Sequence, residues 1–140
     1  MQNNHVITYE TTINASLEKV WEALTNPELV KKYFFGSELE STYEVGTLIY
    51  FRGDWEGKSY EDKGIIKEYT ANKSLTYSYL SNWSELPDEE DNYLMVRYEI
   101  SPAPIGTKLL ITQSNYDAEK AAHSLQNWEG IIGEMKRLIE

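Results

Sequence analysis

An apolar stripe near the carboxyl terminus constrains the fold of this chain more than any other feature of its sequence. Ten apolar residues recur there at steps of three and four, which is the spacing of one helix face. They are Ala118, Ala121, Ala122, Leu125, Trp128, Ile131, Ile132, Met135, Leu138 and Ile139. A helix of about 22 residues rises roughly 33 Å and crosses a small domain, and Asp117 suits its N-cap. Such a stripe has to be buried against another part of the chain.

The middle of the chain supplies that partner in five short segments rich in β-branched and aromatic residues. The segments are Thr47 to Arg52, Gly64 to Tyr69, Leu75 to Leu80, Tyr93 to Ile100 and Lys108 to Ser114. Turn-forming residues separate them, which predicts short strands. The separating residues are Gly46, Gly53, Asn72, Pro87, Pro102 and Gly106. Because consecutive strands joined by short turns pair as neighbours, we expect an antiparallel meander.

The amino-terminal third adds one strand and two short helices. Apolar and polar residues alternate from His5 to Ile13, as in a half-buried strand. Ser16 is a suitable N-cap for a first helix, and Pro27 for the first turn of a second helix that ends near Gly36. The order strand, two helices, five or six strands and one long helix predicts an α+β fold. In it, a curved antiparallel sheet grips the long C-terminal helix.

Length and composition limit the class of protein to which the chain can belong. With 140 residues the chain suits a single domain over residues 1–140 that needs no metal or disulfide to fold. The absence of cysteine excludes disulfides, thiolate metal sites and cysteine nucleophiles, and it fits a reducing compartment. The start MQNNHVITYE lacks the pattern of a signal peptide, and no apolar run is long enough to span a bilayer. We expect a cytoplasmic protein without membrane insertion.

Charge and motifs exclude further classes. The formal net charge of −10 disfavours nucleic acids and anionic membranes as partners. The only two histidines, His5 and His123, lie apart from clustered acids, so no metal site is expected. Walker-type loops, dinucleotide-binding glycine motifs and a GxSxG elbow are all absent. We therefore expect no cofactor and assign no catalytic residue.

Several sequence segments, taken in order, resemble one known family. "TTINASLEKVWEALTNPELVKKYFFG", "GIIKEYTANKSLTYSY", "TKLLITQS" and "NWEGIIGEMKRLIE" cover nearly the whole chain. Together they resemble the START-like (SRPBCC, helix-grip) superfamily, and within it the domains similar to the C-terminal domain of the activator of heat-shock protein 90 ATPase. The resemblance implies a single START-like domain whose interior cavity holds an apolar small molecule. Because the superfamily includes lipid carriers, hormone receptors and polyketide cyclases, it indicates the fold better than the function.

The aromatic residues provide the candidate ligand site. Eleven tyrosines and four tryptophans suit a wall that is apolar in its body and polar at its tips. The candidate ligand-binding residues are Trp21, Tyr33, Phe34, Phe35, Phe51, Trp55, Tyr77, Tyr79, Trp83, Tyr98, Gln113, Trp128 and Ile132. Core packing remains the alternative for Trp21 and Trp128, whereas Trp55 and Trp83 have turn-like neighbours and could form the mouth. An inward Gln113 would need a hydrogen-bond partner.

The segment PELVKKYFFG, Pro27 to Gly36, carries three consecutive aromatic residues. Ten residues are too few to span a bilayer, so a membrane anchor is the weakest interpretation. Phe34 and Phe35 point to opposite sides where the chain becomes extended. We hypothesise that Tyr33 and one of these two phenylalanines gate the cavity, and the sequence leaves open which one.

Three functions remain compatible with the sequence. The first is a binding protein for an apolar or amphipathic small molecule, without catalysis. The second is an enzyme of cyclase or dehydratase type that uses the same cavity, and the third is a stress-related protein-interaction module of chaperone-cofactor type. A chaperone partner is the less favoured expectation, since the chaperone-binding domain of the eukaryotic activator has no room in this chain. Gly130 and Gly133 leave open a homodimer or a bend in the long helix.

Overall fold

The computed structural model describes residues 5–140, apart from the side chain of Trp55. It contains seven strands and three α-helices in the predicted order. The elements are β1 (Ile7–Ile13), α1 (Leu17–Thr25), α2 (Pro27–Tyr33), β2 (Glu38–Ser41), β3 (Leu48–Trp55), β4 (Lys58–Thr70), β5 (Ser74–Tyr79), β6 (Leu94–Pro102), β7 (Thr107–Gln113) and α3 (Ala118–Ile139). Two short 3-10 turns, Asn82–Ser84 and Glu90–Asn92, lie in the loop between β5 and β6.

All seven strands form one curved antiparallel sheet in the order β1-β7-β6-β5-β4-β3-β2. Strands β2 to β7 therefore pair with their sequence neighbours, as a meander does. The first strand joins the far edge, where Ile7 pairs with Gln113 and Ile13 with Thr107. The predicted fold class is confirmed: the sheet grips a long C-terminal helix, and two short helices follow the first strand.

Side chains fix the start of each helix, as their sequences predict. The Ser16 hydroxyl accepts the Lys19 N–H at 3.2 Å, and Asp117 Oδ1 accepts the Lys120 N–H at 2.8 Å. Asn26 ends α1 and caps α2, because its side-chain oxygen accepts the Glu28 N–H at 2.9 Å. These bonds satisfy amide groups that have no partner within the first turn of a helix. None of the helices in residues 5–140 is long and apolar enough to cross a membrane.

The carboxyl-terminal half of α3 closes the core. Ile132 and Met135 are fully buried, and Lys136 Nζ donates to the Thr11 hydroxyl of β1 at 3.3 Å. The predicted stripe is wrong at three positions, since Ala118, Ala122 and Leu138 are exposed. Ser124 is buried in the amino-terminal half instead, although its hydroxyl kept it out of the apolar pattern. The buried face is therefore narrower and more polar than predicted.

The prediction misses one strand and misplaces two strand boundaries by three or more residues. Strand β2 was not predicted, because the charged sequence ELES forms a short edge strand with little burial. Strand β3 runs through Gly53 to Trp55, so Trp55 ends a strand and does not lie in a turn. Strand β4 begins at Lys58, six residues before the predicted start at Gly64. Its polar first half lies at the rim of the sheet, where outward side chains meet solvent.

A close approach between β4 and β5 explains the glycine at position 64. A Cβ atom on Gly64 would lie 1.6 Å from the backbone oxygen of Ser78, so only glycine fits there. Immediately before it, Lys63 forms an isolated bridge with Leu80 through backbone hydrogen bonds of 3.2 and 2.8 Å. The approach therefore brings the polar first half of β4 against the end of β5.

Candidate functional site

A cavity of about 860 Å³ lies between the concave face of the sheet and the amino-terminal half of α3, and it opens to solvent. The helix presents short or polar side chains here, among them Ser124 and Asn127. Further along the helix, the larger side chains of Ile132 and Met135 fill the space between helix and sheet, whereas here that space stays open. The cavity thus results from a change of side-chain size along one helix face.

Phe34 and Trp128 form the apolar wall of the cavity. The Phe34 ring stacks on Phe51 at 5.6 Å between centroids and meets Trp128 edge to face at 5.9 Å. Phe35 lines the mouth with 56% of its surface exposed, and its ring meets Phe34 edge to face at 6.0 Å. Its φ of 55° lies in the left-handed region, so the chain turns at Phe34 and Phe35 and is not extended there as predicted. Both phenylalanines therefore border the cavity, one in the wall and one at the mouth.

Aromatic and hydroxyl groups from the opposite edge complete the mouth. The ring of Tyr60 lies 6.2 Å from that of Trp83, which is 47% exposed. The hydroxyl groups of Tyr60 and Ser37 are 2.6 Å apart and hydrogen-bonded. His123 lies on the exposed rim formed by α3. The mouth is amphipathic as a result.

Gln113 has its hydrogen-bond partner within the protein. Its side-chain oxygen accepts the indole N–H of Trp128 at 2.7 Å, and its side-chain nitrogen donates to Asn115 at 3.3 Å. Asn115 is only 2% exposed and donates to the backbone oxygens of His5 and Gln113. This network fixes the Trp128 ring against the sheet.

Two buried tyrosines pair behind the apolar wall. The hydroxyl groups of Tyr77 and Tyr98 are 2.8 Å apart, and the two rings meet edge to face. Burial raises the pKa of both hydroxyls, so both remain protonated at neutral pH. Only Tyr77 reaches the main cavity. Tyr98 borders a second void of about 10 Å³, together with Tyr33 and Phe51.

One buried carboxyl group lies within the cavity wall, whereas the other lining carboxyl group, that of Glu56, is exposed. Asp62, on β4, is only 7% exposed, and its Oδ2 accepts a hydrogen bond from the hydroxyl of Tyr79. Its Oδ1 accepts the backbone N–H of Asn82 at 2.7 Å. Burial raises the pKa of Asp62, and the two hydrogen bonds oppose that shift. Burial, followed by the charge of Asp62, raises the pKa of Tyr79, so Tyr79 is the donor of this pair.

The structure places seven of the candidate ligand residues on the wall of the cavity. They are Phe34, Phe35, Tyr77, Tyr79, Trp83, Gln113 and Trp128. Five others pack behind that wall and do not border the cavity: Trp21, Tyr33, Phe51, Tyr98 and Ile132. Trp21 contacts Tyr69 instead, and the Tyr33 hydroxyl donates to Ala23 O at 2.7 Å. The side chain of Trp55 lies outside the described part of the structure.

Asp62, Ser37, Tyr60, Asn115 and Ser124 line the cavity and were not among the candidates. A signal for Asp62 existed in the sequence, because Tyr60, Asp62, Gly64 and Ile66 follow one another at period two. Extending the strand upstream of Gly64 would have placed Asp62 on the face of the buried Ile66. Within residues 5–140, no three His, Cys, Asp or Glu side chains gather in a group that could hold a metal ion.

Solved structures with the same fold cover almost the whole chain. A protein from Cytophaga hutchinsonii (ChR145) is 37% identical with a TM-score of 0.84, covering 99% of this chain and 95% of its own. MLL2253 from Mesorhizobium loti is 23% identical with a TM-score of 0.77 and 96% coverage of both chains. DynU16, a protein of the dynemicin biosynthetic locus, is 18% identical with a TM-score of 0.77. The match covers 96% of this chain and 46% of DynU16.

A family model gives a more specific assignment than the structures with the same fold. No curated protein matches the chain. The model of the family described as "Activator of Hsp90 ATPase homolog 1-like protein" matches residues 14–140, which is nearly the whole chain. The chain therefore belongs to the activator of Hsp90 ATPase homologue 1-like family, within the START-like, helix-grip fold.

Proposed function

We propose that this protein binds an apolar or amphipathic small molecule in the cavity between the sheet and α3, without catalysing a reaction. The observation that carries the proposal is the cavity itself, whose volume of about 860 Å³ lies within the range of small-molecule sites. Seven aromatic side chains contribute to its wall, and polar side chains such as Asp62 and Gln113 lie among them. The hydrogen-bonded Gln113 and Trp128 hold the wall in place without a ligand, which lowers the cost of binding.

Uptake of a neutral fluorescent probe tests this proposal. N-phenyl-1-naphthylamine should show a saturable rise in fluorescence with the wild-type protein. Ser124→Phe, which fills the cavity from α3, should abolish that rise. Ala122→Phe adds the same ring at an exposed position two residues away and should leave uptake unchanged. Absence of saturable uptake by the folded wild-type protein would overturn the proposal.

Native mass spectrometry of the protein purified from its own host complements the probe experiment. A bound small molecule should survive gentle ionisation and add a defined mass to the folded chain. The Ser124→Phe variant purified in parallel should lack that mass. Equal added mass on both proteins would show that the molecule lies elsewhere.

Proton-transfer catalysis is the second candidate, and the contact between Asp62 and Tyr79 favours it. Both groups line the cavity and are hydrogen-bonded to each other, and two adjacent titratable groups are what proton transfer to one substrate atom requires. A carboxyl group with a raised pKa is a common general acid or base. Against this, each Asp62 oxygen is already engaged by Tyr79 or Asn82. Turnover of a cavity-bound ketone or ester that disappears in Asp62→Asn would favour the enzyme over the carrier.

A further inference from the structure

The charge environment of Asp62 indicates the kind of ligand that the cavity accepts. Asp62 pairs with Phe51 in the β3–β4 register, and both side chains lie on the buried, concave face. Burying a carboxylate is costly unless a positive charge or several hydrogen bonds compensate it. Asp62 has two hydrogen bonds, from Tyr79 and Asn82. The question is whether the protein also supplies a positive charge.

The two neighbouring basic residues lie on the opposite, convex face of the sheet. Arg52 binds Glu40 at 2.6 Å and Glu61 at 2.7 Å, and Lys63 binds Asp88 at 2.5 Å. Side chains of adjacent strand residues point to opposite faces, so neither base can turn to Asp62 without leaving its own partners. In the described part of the chain, no ion pair includes Asp62.

The basic residue on the same face of β4 is distant. Lys58 lines the mouth of the cavity four residues before Asp62, and both side chains are on one side of the strand. Four residues of extended strand separate the two Cα atoms by about 13 Å. At that distance, and with Lys58 exposed to solvent, screening leaves little of its attraction for Asp62. Lys120, which lines the cavity from α3, is exposed and binds Asp117 at 3.2 Å. In the described part of the protein, the charge of Asp62 therefore has no ion-pair partner.

The hydrogen-bonding capacity of Asp62 and the aromatic rings of the cavity also bear on the kind of ligand. A carboxylate has about four lone-pair positions, and Tyr79 and Asn82 occupy two of them. The remaining positions can accept N–H donors from a ligand. The rings of Phe34, Tyr77 and Tyr79 line the same cavity. Aromatic faces attract cations, most strongly where water is excluded.

We propose that Asp62 is the counter-ion for a protonated amine on an amphipathic ligand, whose apolar part lies against the Phe34 and Trp128 wall. The inference rests on the proposed function, because it names the chemical class that the same cavity binds. The ammonium group donates to the unused lone pairs of Asp62. Its positive charge stabilises the buried carboxylate, which has no ion-pair partner within residues 5–140.

Three matched probes test the inference: 4-phenylbutylamine, the neutral 4-phenylbutan-1-ol and the anionic 4-phenylbutanoate. With wild-type protein at pH 7, isothermal titration calorimetry should give the amine an affinity at least about tenfold above that of the alcohol. The butanoate should bind most weakly. Equal affinity for amine and alcohol, or tighter binding of the butanoate, would overturn the inference.

Two variants distinguish an effect of the charge at position 62 from an effect of the net charge of the protein. Asp62→Asn should bind amine and alcohol alike, because it keeps the shape of the site and removes its charge. Glu61→Gln removes one negative charge from the convex face next to it and should keep the preference for the amine. A preference for the amine that survives in Asp62→Asn would refute the assignment.

Nuclear magnetic resonance of the wild-type protein gives a test that needs no variant. The amine should shift the backbone amide resonance of Asn82, which donates to Asp62, more than the alcohol does. An equal shift by both probes would contradict the inference. Binding of the alcohol and of N-phenyl-1-naphthylamine without a preference for the amine would leave the proposed function standing and reject only the amine site. Failure of every probe would reject both.

Discussion

The indole N–H of Trp128 donates a hydrogen bond of 2.7 Å to the side-chain oxygen of Gln113, and this bond joins α3 to β7 at the cavity wall. Trp128 is only 5% exposed, so water cannot replace the acceptor. The Gln113 side chain is oriented in turn by Asn115, which is anchored to the backbone of residues 5 and 113. The end of β7 thus helps to position α3 over the sheet at the cavity wall.

Gln113→Leu should destabilise the protein by about 1–3 kcal/mol, because it leaves the buried indole N–H without an acceptor. The free energy of unfolding in guanidinium chloride measures the loss. Trp128→Phe removes the donor, and the Gln113→Leu/Trp128→Phe double variant should lose less than the sum of the two single variants. Additive losses would show that the bond contributes nothing to stability.

Most of the fold could be predicted because its signals are local. Each signal depends on a few neighbouring residues: the helical spacing of the α3 stripe, the caps at Ser16 and Asp117, and the turn residues between strands. Strand β2 and the first half of β4 could not be predicted in the same way. Their polar sequences become strands only because neighbouring strands pair with them.

The site was harder to predict than the fold. Tyr98 and Ile132 are apolar and inward, as are Tyr77 and Trp128, yet only the latter two border the cavity. The difference depends on the curvature of the sheet and on where α3 crosses it, which no local pattern contains. Asp62 was missed for the opposite reason, because an acid in a polar segment normally faces solvent.

Phe34 and Phe35 should respond differently to replacement by alanine. Phe34→Ala should cost on the order of 3 kcal/mol, because Phe51 and Trp128 lose a ring that packs between them. Phe35→Ala should change stability by less than about 0.5 kcal/mol, since most of this side chain is exposed, but should weaken probe uptake several-fold. Chemical denaturation and N-phenyl-1-naphthylamine titration measure the two effects. Unchanged uptake in Phe35→Ala would remove it as a gate.

Gly64→Ala and Gly130→Ala should have opposite effects on stability. At Gly64 the added methyl group meets the backbone oxygen of Ser78, so we expect a loss of about 3 kcal/mol or more. At Gly130, inside α3, nothing lies within 4 Å of the added atom, and alanine should stabilise the helix by about 0.8–1 kcal/mol. Thermal and chemical unfolding of both variants give the comparison. A harmless Gly64→Ala would mean that β4 and β5 do not approach as closely as described.

Asp62→Asn should be more stable than the wild-type protein at pH 7 and indistinguishable from it near pH 3. Burial raises the pKa of Asp62 in the folded protein above its unfolded value of about 3.9. The folded state therefore holds this proton at pH values where the unfolded state has lost it. The wild-type free energy of unfolding then falls, relative to the variant, as pH rises from about 4 through the folded pKa. Guanidinium chloride unfolding of both proteins at each pH from 3 to 8 measures the difference.

Asp88→Asn is the control for this pH series, because its effect on stability at pH 7 should have the opposite sign. Lys63 and Tyr93 hold the pKa of Asp88 below its ordinary value through hydrogen bonds. The folded state therefore loses this proton at a lower pH than the unfolded state, so the wild-type protein gains stability as pH rises through that range. Asp88→Asn should consequently be less stable than the wild-type protein at pH 7. If Asp62→Asn also lost stability at pH 7, the carboxylate would be compensated within the folded protein, and it would need no ligand cation.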